Sequence, residues 1–175
     1  DDDAAQLLQA LTQENAFVTR LADGKTYRFH HMMKDCARKA FFTLDKEKQS
    51  ICQNRYGDWY ERQKMYIHAL SSYQAGKNYD GMLRVIQKDA GILLSALKPE
   101  EVMEWIDQCP ASVLREYPLS VLVLMRSMFN WKKIPKMLEL KELLLTAVAE
   151  NTALSEEERG NLLGECDLIM SFLMY

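Results

Sequence analysis

The sequence predicts a mainly α protein of antiparallel helix pairs, preceded by one small β-hairpin, on three observations. Apolar residues recur at i, i+3, i+4 and i+7 through most of the chain, which is the signature of amphipathic helices. The period changes once, between Phe17 and Phe29, where aromatic and β-branched residues flank Ala22-Asp23-Gly24. Capping and breaking residues divide the remainder into helices of roughly 12 to 18 residues joined by short turns, and such helices pack as antiparallel neighbours.

Ala4, Leu7, Leu8 and Leu11 form the stripe of a first helix ending near Thr12, with Asp3 as its cap and Gln6 as the reciprocal partner. Phe17 to Leu21 and Lys25 to Phe29 are the two strands of the hairpin. Two registers are open. A three-residue loop with Gly24 in the left-handed region sets Phe17 opposite Phe29 and Thr19 opposite Tyr27; a two-residue turn sets Val18 opposite Phe29. A helix from about His31 to Phe42 can lie against the hairpin's apolar face; Leu44-Asp45 ends it, and Asp45 caps the next. Cys52, Tyr56, Trp59 and Tyr60 make one stripe, and Tyr66, Ala69, Leu70 and Tyr73 make another on a helix closed by Gly76. Asn78 caps a helix carrying Tyr79, Met82, Leu83, Ile86, Ala90 and Leu93, and Pro99 suits the first turn of one carrying Val102, Trp105 and Ile106. Pro118 opens Leu119 to Trp131, apolar almost all round and therefore an enclosed central helix, which Pro135 breaks. Met137, Leu140, Leu144 and Val148 follow, and Ser155 with Glu158 is a capping box for a last helix bearing Leu162, Cys166, Ile169, Met170 and Leu173.

A row of such pairs is an α-solenoid; without a clean internal repeat it reads as a degenerate tetratricopeptide-like one. The expected division is residues 1–45, holding the hairpin at about 17–29 as a winged-helix-like remnant, and residues 46–175 as helical repeats. An opening Asp1 and the absence of a polar capping helix after Leu173 lead to the expectation of a piece cut from a longer chain.

A chain of 175 residues with 48% hydrophobic and 27% charged positions is not a disordered one. Cys36, Cys52, Cys109 and Cys166 include no CxxC pair, so neither a zinc site nor a disulfide framework is indicated, and reduced cytoplasmic thiols are expected. The net charge of -3 argues against a dedicated polyanion binder. The charge is unevenly spread: Lys25 to Lys64 holds ten basic and five acidic residues, whereas Glu150 to Tyr175 holds six acidic and one basic. Those segments are solvated surfaces of opposite sign, or docking faces for neighbouring domains or copies. Asp1-Asp2-Asp3 is the reverse of a signal peptide's basic start, and the longest apolar run, Leu119 to Met125, is too short for a membrane span.

Asp23-Gly24-Lys25-Thr26 contains the Gly-Lys-Thr that ends a phosphate-binding loop, but Thr19 stands where its second glycine is needed and Lys25 enters a strand, so it reads as a hairpin turn. His30 and His31 point about 100° apart on a helix, which suits a buried hydrogen-bonding group at the strand-to-helix junction better than a metal site. His68 is expected to pack with a satisfied ring nitrogen. No Ser-His-Asp or Cys-His spacing and no distinctive carboxylate pair is present, so no enzyme is expected. Trp59, Trp105, Trp131 and the ten methionines are core, or line a groove for a ligand or partner helix. Lys25, Arg28, Lys34, Arg38 and Lys39 form a candidate interaction surface on the hairpin and its following helix. That surface is a wing for DNA or, in the preferred reading, for packing within the protein.

Tyr27-Arg28-Phe29-His30-His31, followed by Arg38, resembles a signature of the large ATP-binding, MalT-like LuxR-type transcription regulators of bacteria. Gly57-Asp58-Trp59-Tyr60, then Tyr66-Ile67-His68-Ala69-Leu70, then Gly76-Lys77-Asn78-Tyr79 resemble that family's tryptophan helix, its "A-I-x-H-A-L" helix and its "G-D-Y" turn. Val102 to Pro110 and Leu114-Arg115-Glu116-Tyr117-Pro118 resemble a further passage, so the likeness runs over roughly residues 15–151. Met32-Met33 stands for the usual Leu-Phe, Cys36-Ala37 where a bulky Leu is common, and Lys77-Asn78 for Gly-Asp.

The resemblance implies a multidomain regulator: a nucleotide-binding switch, a winged-helix-like arm, a helical sensor and a helix-turn-helix that reads promoters. This chain would hold the end of the arm and the start of the sensor, relaying inducer or partner binding between switch and DNA-binding domains. Its implied partners are neighbouring domains of the same chain, further copies in self-assembly, and an inducer or regulatory protein, with no direct nucleic-acid contact and no membrane. ATP would belong to the full-length protein, with no cofactor in this segment. The alternative is a free-standing helical-repeat scaffold that recognises another protein.

Overall fold

The computed structural model describes residues 2–14 and 17–173. Among them the chain is mainly helical, with ten α-helices and one two-stranded antiparallel hairpin. It forms two compact units, Asp1–Gln49 and Ser50–Tyr175.

The first unit contains α1 (Asp2–Gln13), β1 (Val18–Arg20), β2 (Tyr27–Phe29) and α2 (His31–Thr43). Asp3 lies inside the first turn of α1 and does not precede it, so it acts on the helix through the dipole in place of the expected cap. The strands pair Val18 with Phe29, Thr19 with Arg28 and Arg20 with Tyr27, which overturns the register that set Phe17 opposite Phe29. Asp23 is the cause. Its Oδ1 accepts from the backbone N–H groups of Lys25 at 3.0 Å and Thr26 at 2.9 Å, and its Oδ2 accepts from the Thr26 hydroxyl. Leu21 N–H then reaches Thr26 O at 2.8 Å, so Ala22 to Lys25 form the loop. Gly24 takes φ +65°, the left-handed conformation expected of it. Among the described residues of this unit Val18, 5% exposed, is the buried hydrophobic one, and α2 buries none of its own, contrary to the expected packing on an apolar hairpin face.

Asp45 caps α3 (Lys46–Arg62), its Oδ1 accepting from Lys48 N–H at 2.8 Å. Then come α4 (Tyr66–Ala75), α5 (Tyr79–Lys88), a 3-10 turn (Ile92–Ala96), α6 (Pro99–Gln108), the short α7 (Ala111–Glu116), α8 (Pro118–Asn130), α9 (Ile134–Glu150) and α10 (Glu156–Ser171). Consecutive helices pack in pairs, α4 with α5 and α8 with α9, and α8 also touches α5, α7 and α10. Central placement follows from its composition: Ser120 and Val121 to Met125 are all buried, and the Ser120 hydroxyl escapes the cost of an unpaired buried group by donating to Leu83 O at 2.7 Å. Met82, Leu83, Ile86, Met128, Met137 and Leu144 complete the middle of this core.

Several boundaries differ from those expected. α5 stops at Lys88 because Ala90 at φ 52° and Gly91 at φ 78° turn the chain, so Leu93 reaches the core from the 3-10 turn and Ala90 is exposed. Gly76 has φ -84° and leaves the left-handed position to Lys77; a glycine is required there by closeness, since a Cβ would stand 2.2 Å from Asn54 Oδ1. Pro135 opens α9, while Lys132 at φ 58° makes the break after α8. On α3, Tyr56 and Trp59 are 57% and 49% exposed, and the buried residue is Gly57. The capping box at α10 is present in both directions, with Glu158 N–H donating to Ser155 Oγ at 3.2 Å and Ser155 N–H donating to Glu158 Oε2 at 2.8 Å.

Candidate functional site

Three arrangements carry chemistry, and the first joins α3, α4 and α5. The Tyr73 ring is fully buried between two glycines: a Cβ at Gly57 would lie 2.5 Å from the ring, and one at Gly81 would lie 2.7 Å from it. Its hydroxyl stands 2.7 Å from Asp58 Oδ1 and 2.6 Å from Glu61 Oε2, so one proton serves two carboxylates in turn, while Arg84 Nη2 donates to the same oxygen at 3.1 Å. Arg84 holds Glu61 with both ends of its fork, at 2.9 and 2.8 Å, and Lys88 Nζ adds a third contact at 2.7 Å. The Glu61 side chain is 8% exposed; burial pushes its pKa up, but hydrogen bonds from Arg84, Lys88 and Tyr73 outweigh that and hold it near 2. Burial, then the Glu61 and Asp58 carboxylates, push the Tyr73 hydroxyl well above its ordinary range. At neutral pH Glu61 therefore stays ionised and Tyr73 stays protonated. The cluster is a clamp.

The second arrangement is the basic face of the first unit. Arg28 on β2, Lys25 in the loop and Lys34, Arg38 and Lys39 on α2 are all exposed, and the i, i+4 spacing sets Lys34 and Arg38 on one side of the helix. Among the described residues none of these five has a carboxylate within ion-pairing distance, whereas Arg84, Lys88, Lys133 and Lys136 of the second unit all do. Tyr27 and Phe29 are half-buried on β2. His30 is exposed at the junction, not buried: its Nδ1 accepts from Met32 N–H at 3.4 Å to cap α2, and its ring lies 4.1 Å from that of exposed His31.

The family-like residues of the second unit gather separately. Trp59 packs edge-on against Tyr60 at 5.1 Å, and Tyr60 lies against His68 at 5.2 Å; His68 thus packs on a ring, as expected, while staying exposed, and Ala69 and Leu70 are buried. Thus Tyr27 to His31 and Arg38 belong to one unit, and Trp59 and His68 to Leu70 to the other.

The third arrangement was not expected. A groove of about 290 Å³ runs between α5, α8 and α10, with Pro118, Leu122 and Leu162 at its floor and Glu116, Glu158 and Glu165 at its rim. The acidic excess after Glu150 is the sequence signal for it, because Glu158, Leu162 and Glu165 stand at i, i+4 and i+7 on one side of α10. Among the described residues no group of His, Cys, Asp and Glu is placed to hold a metal ion, and no helix is long and apolar enough to cross a membrane.

No curated protein and no solved structure matched the chain. Residues 1–49 match the family model of the MalT winged helix domain, and the match ends where the first compact unit ends. The hairpin, the His30-capped helix and the basic face therefore lie in a unit similar to the MalT winged helix domain.

Proposed function

We propose that this chain is the central regulatory and interaction segment of a bacterial, ATP-dependent LuxR-type transcription regulator of the MalT-like kind. One observation carries the reading: residues 1–49 match the MalT winged helix domain, and a helical unit with its own core follows them directly. In this reading the helical unit, tetratricopeptide-like in character, receives an inducer or a regulatory protein. The winged-helix-like unit passes that event to a switch domain that holds ATP, and a separate domain reads DNA. The exposed cations Lys25, Arg28, Lys34, Arg38 and Lys39, which have no carboxylate partner among the described residues, suit an acidic surface of a neighbouring domain or copy in the cytoplasm.

Two measurements test this. The isolated 175-residue chain is expected to bind no ATP, and micromolar affinity would sink the division of labour. In the full-length protein, Lys34→Glu with Arg38→Glu is expected to change induction of a target promoter while leaving the far-ultraviolet spectrum unaltered. Unchanged induction by that pair would favour the second reading, a free-standing helical-repeat scaffold, which the self-contained core of residues 50–175 supports.

A further inference from the structure

Among the described residues, helix α2 buries none of its own side chains, and two large apolar ones stand out from it, Met32 at 56% and Phe42 at 67% exposure. Arg38 and Lys39 precede Phe42 by one helical turn and Lys34 precedes Arg38 by another, so an aromatic ring sits among cations on the exposed side. Those three cations make no ion pair among the described residues, and Asp35 is the single carboxylate of the helix. The outer side of α10 has the same design with the opposite sign. Leu168 and Phe172, 57% and 60% exposed, stand one turn apart; Glu165 lies three residues before Leu168, and Glu157 heads the same side of the helix. Both glutamates are exposed and make no hydrogen bond or ion pair among the described residues. Between them lie Gly160 and Gly164, where a Cβ would meet nothing within 4 Å, so a helix laid along this side can come close to the backbone.

Each face repels a copy of itself, which disfavours the symmetric contacts α2 on α2 and α10 on α10, and each is complementary to the other. We infer that α2 of one copy of this chain docks on the outer side of α10 of a second copy, Phe42 meeting Leu168 and Phe172 while Lys34, Arg38 and Lys39 face Glu157 and Glu165. The charge of the two segments agrees: ten basic less five acidic residues give net +5 over Lys25 to Lys64, and one basic less six acidic give net -5 over Glu150 to Tyr175. The contact is head-to-tail, so a pair leaves one α2 and one α10 free, and assembly continues into a ring or an open row. One helix on another buries less than the roughly 1,200 Å² of a stable interface, so the association is weak, on the order of tens of micromolar or above. Nothing in it calls on a nucleotide. That α2 is a docking face rests on the reading above; that its occupant is a second copy does not.

The test is sedimentation velocity of the whole chain, free of nucleotide, over a range of concentrations. The mean mass should rise with concentration at about 0.05 M salt and return to that of a monomer at about 0.5 M, where screening confines charge attraction to a few ångströms. Two charge-reversed variants carry the argument, Lys34→Glu with Arg38→Glu on α2, and Glu157→Lys with Glu165→Lys on α10. Each alone should raise the dissociation constant about tenfold or more, because its two faces then share one sign. An equimolar mixture of the two should associate again, since every α2 then has an α10 of opposite charge in the other variant, a recovery that misfolding of either would prevent. A chain that stays monomeric at about 0.5 mM in low salt, loss of association in only one of the two variants, or a mixture that fails to associate would overturn the interface. Failure here leaves the relay reading standing, with another acidic domain on α2; an unchanged promoter assay leaves the interface between copies standing.

Discussion

Gly57 and Tyr73 are in contact so close that a single methyl group on the first would lie 2.5 Å from the ring of the second. The ring has little room to move, because a Cβ at Gly81 would also lie 2.7 Å from it and its hydroxyl is held by Asp58, Glu61 and Arg84. Helix α3 is thereby seated on the α4–α5 pair through an aromatic ring that two glycines approach, with the Arg84 guanidinium carbon 5.6 Å from its centroid.

Gly57→Ala and Gly81→Ala should each destabilise the chain by roughly 1–3 kcal/mol in urea unfolding, overpacking outweighing alanine's better helix propensity. Gly160→Ala and Gly164→Ala in α10 should do the opposite. A Cβ there meets nothing within 4 Å, so each should gain up to about 1 kcal/mol.

Glu61 makes stability depend on acid. Its folded pKa of about 2 lies below the ordinary 4.5, so the carboxylate contributes fully above pH 4.5 and the contribution drains away as pH falls toward 2. Unfolding of Glu61→Gln followed over that range should lose part of the acid dependence, and at pH 7 the variant should be weaker by on the order of 2–3 kcal/mol. Tyr73→Phe should cost about 1–2 kcal/mol, since it withdraws the donor shared by two carboxylates.

The hairpin register hangs on one exposed carboxylate. Asp23→Ala should weaken the nuclear Overhauser contacts between Val18 and Phe29, whereas Asp23→Asn, which keeps an acceptor in place, should retain them.

Pulse alkylation read by mass spectrometry should label Cys36 first, because it is exposed and free. Cys109 is buried, and that burial, with Asp80 nearby, pushes its thiol to about 11; Cys166 is buried and raised likewise. Both should react at the rate of unfolding.

The ends of elements could be read from the chain wherever one side chain closes a backbone group nearby, as at Asp45, Asn78 and the Ser155–Glu158 box. The central helix was equally plain, because Pro118 and an unbroken apolar run leave it no solvent face. What escaped depends on partners far apart in sequence. Gly57 and Gly81 carry no signal of their own in the sequence, because only the Tyr73 ring beside them requires a residue without a side chain. Trp59 was assigned inward by helical period, yet the inward face of α3 is the one that must be small enough to receive a ring. The acidic groove draws its floor from α8 and α10, where Leu122 and Leu162 stand 40 positions apart, so a pass along the chain shows only its rim charge.

Helix α2 buries no residue, and a helix of thirteen residues without an apolar anchor is marginal in water. Its amide protons should exchange with deuterium at rates close to those of an unfolded chain, while those of α8 wait for global opening. One polypeptide thus keeps two clocks. The faster one runs in the unit that carries the exposed basic face, so a neighbour that settled on α2 would be detected as a slowing of that clock before any change in shape.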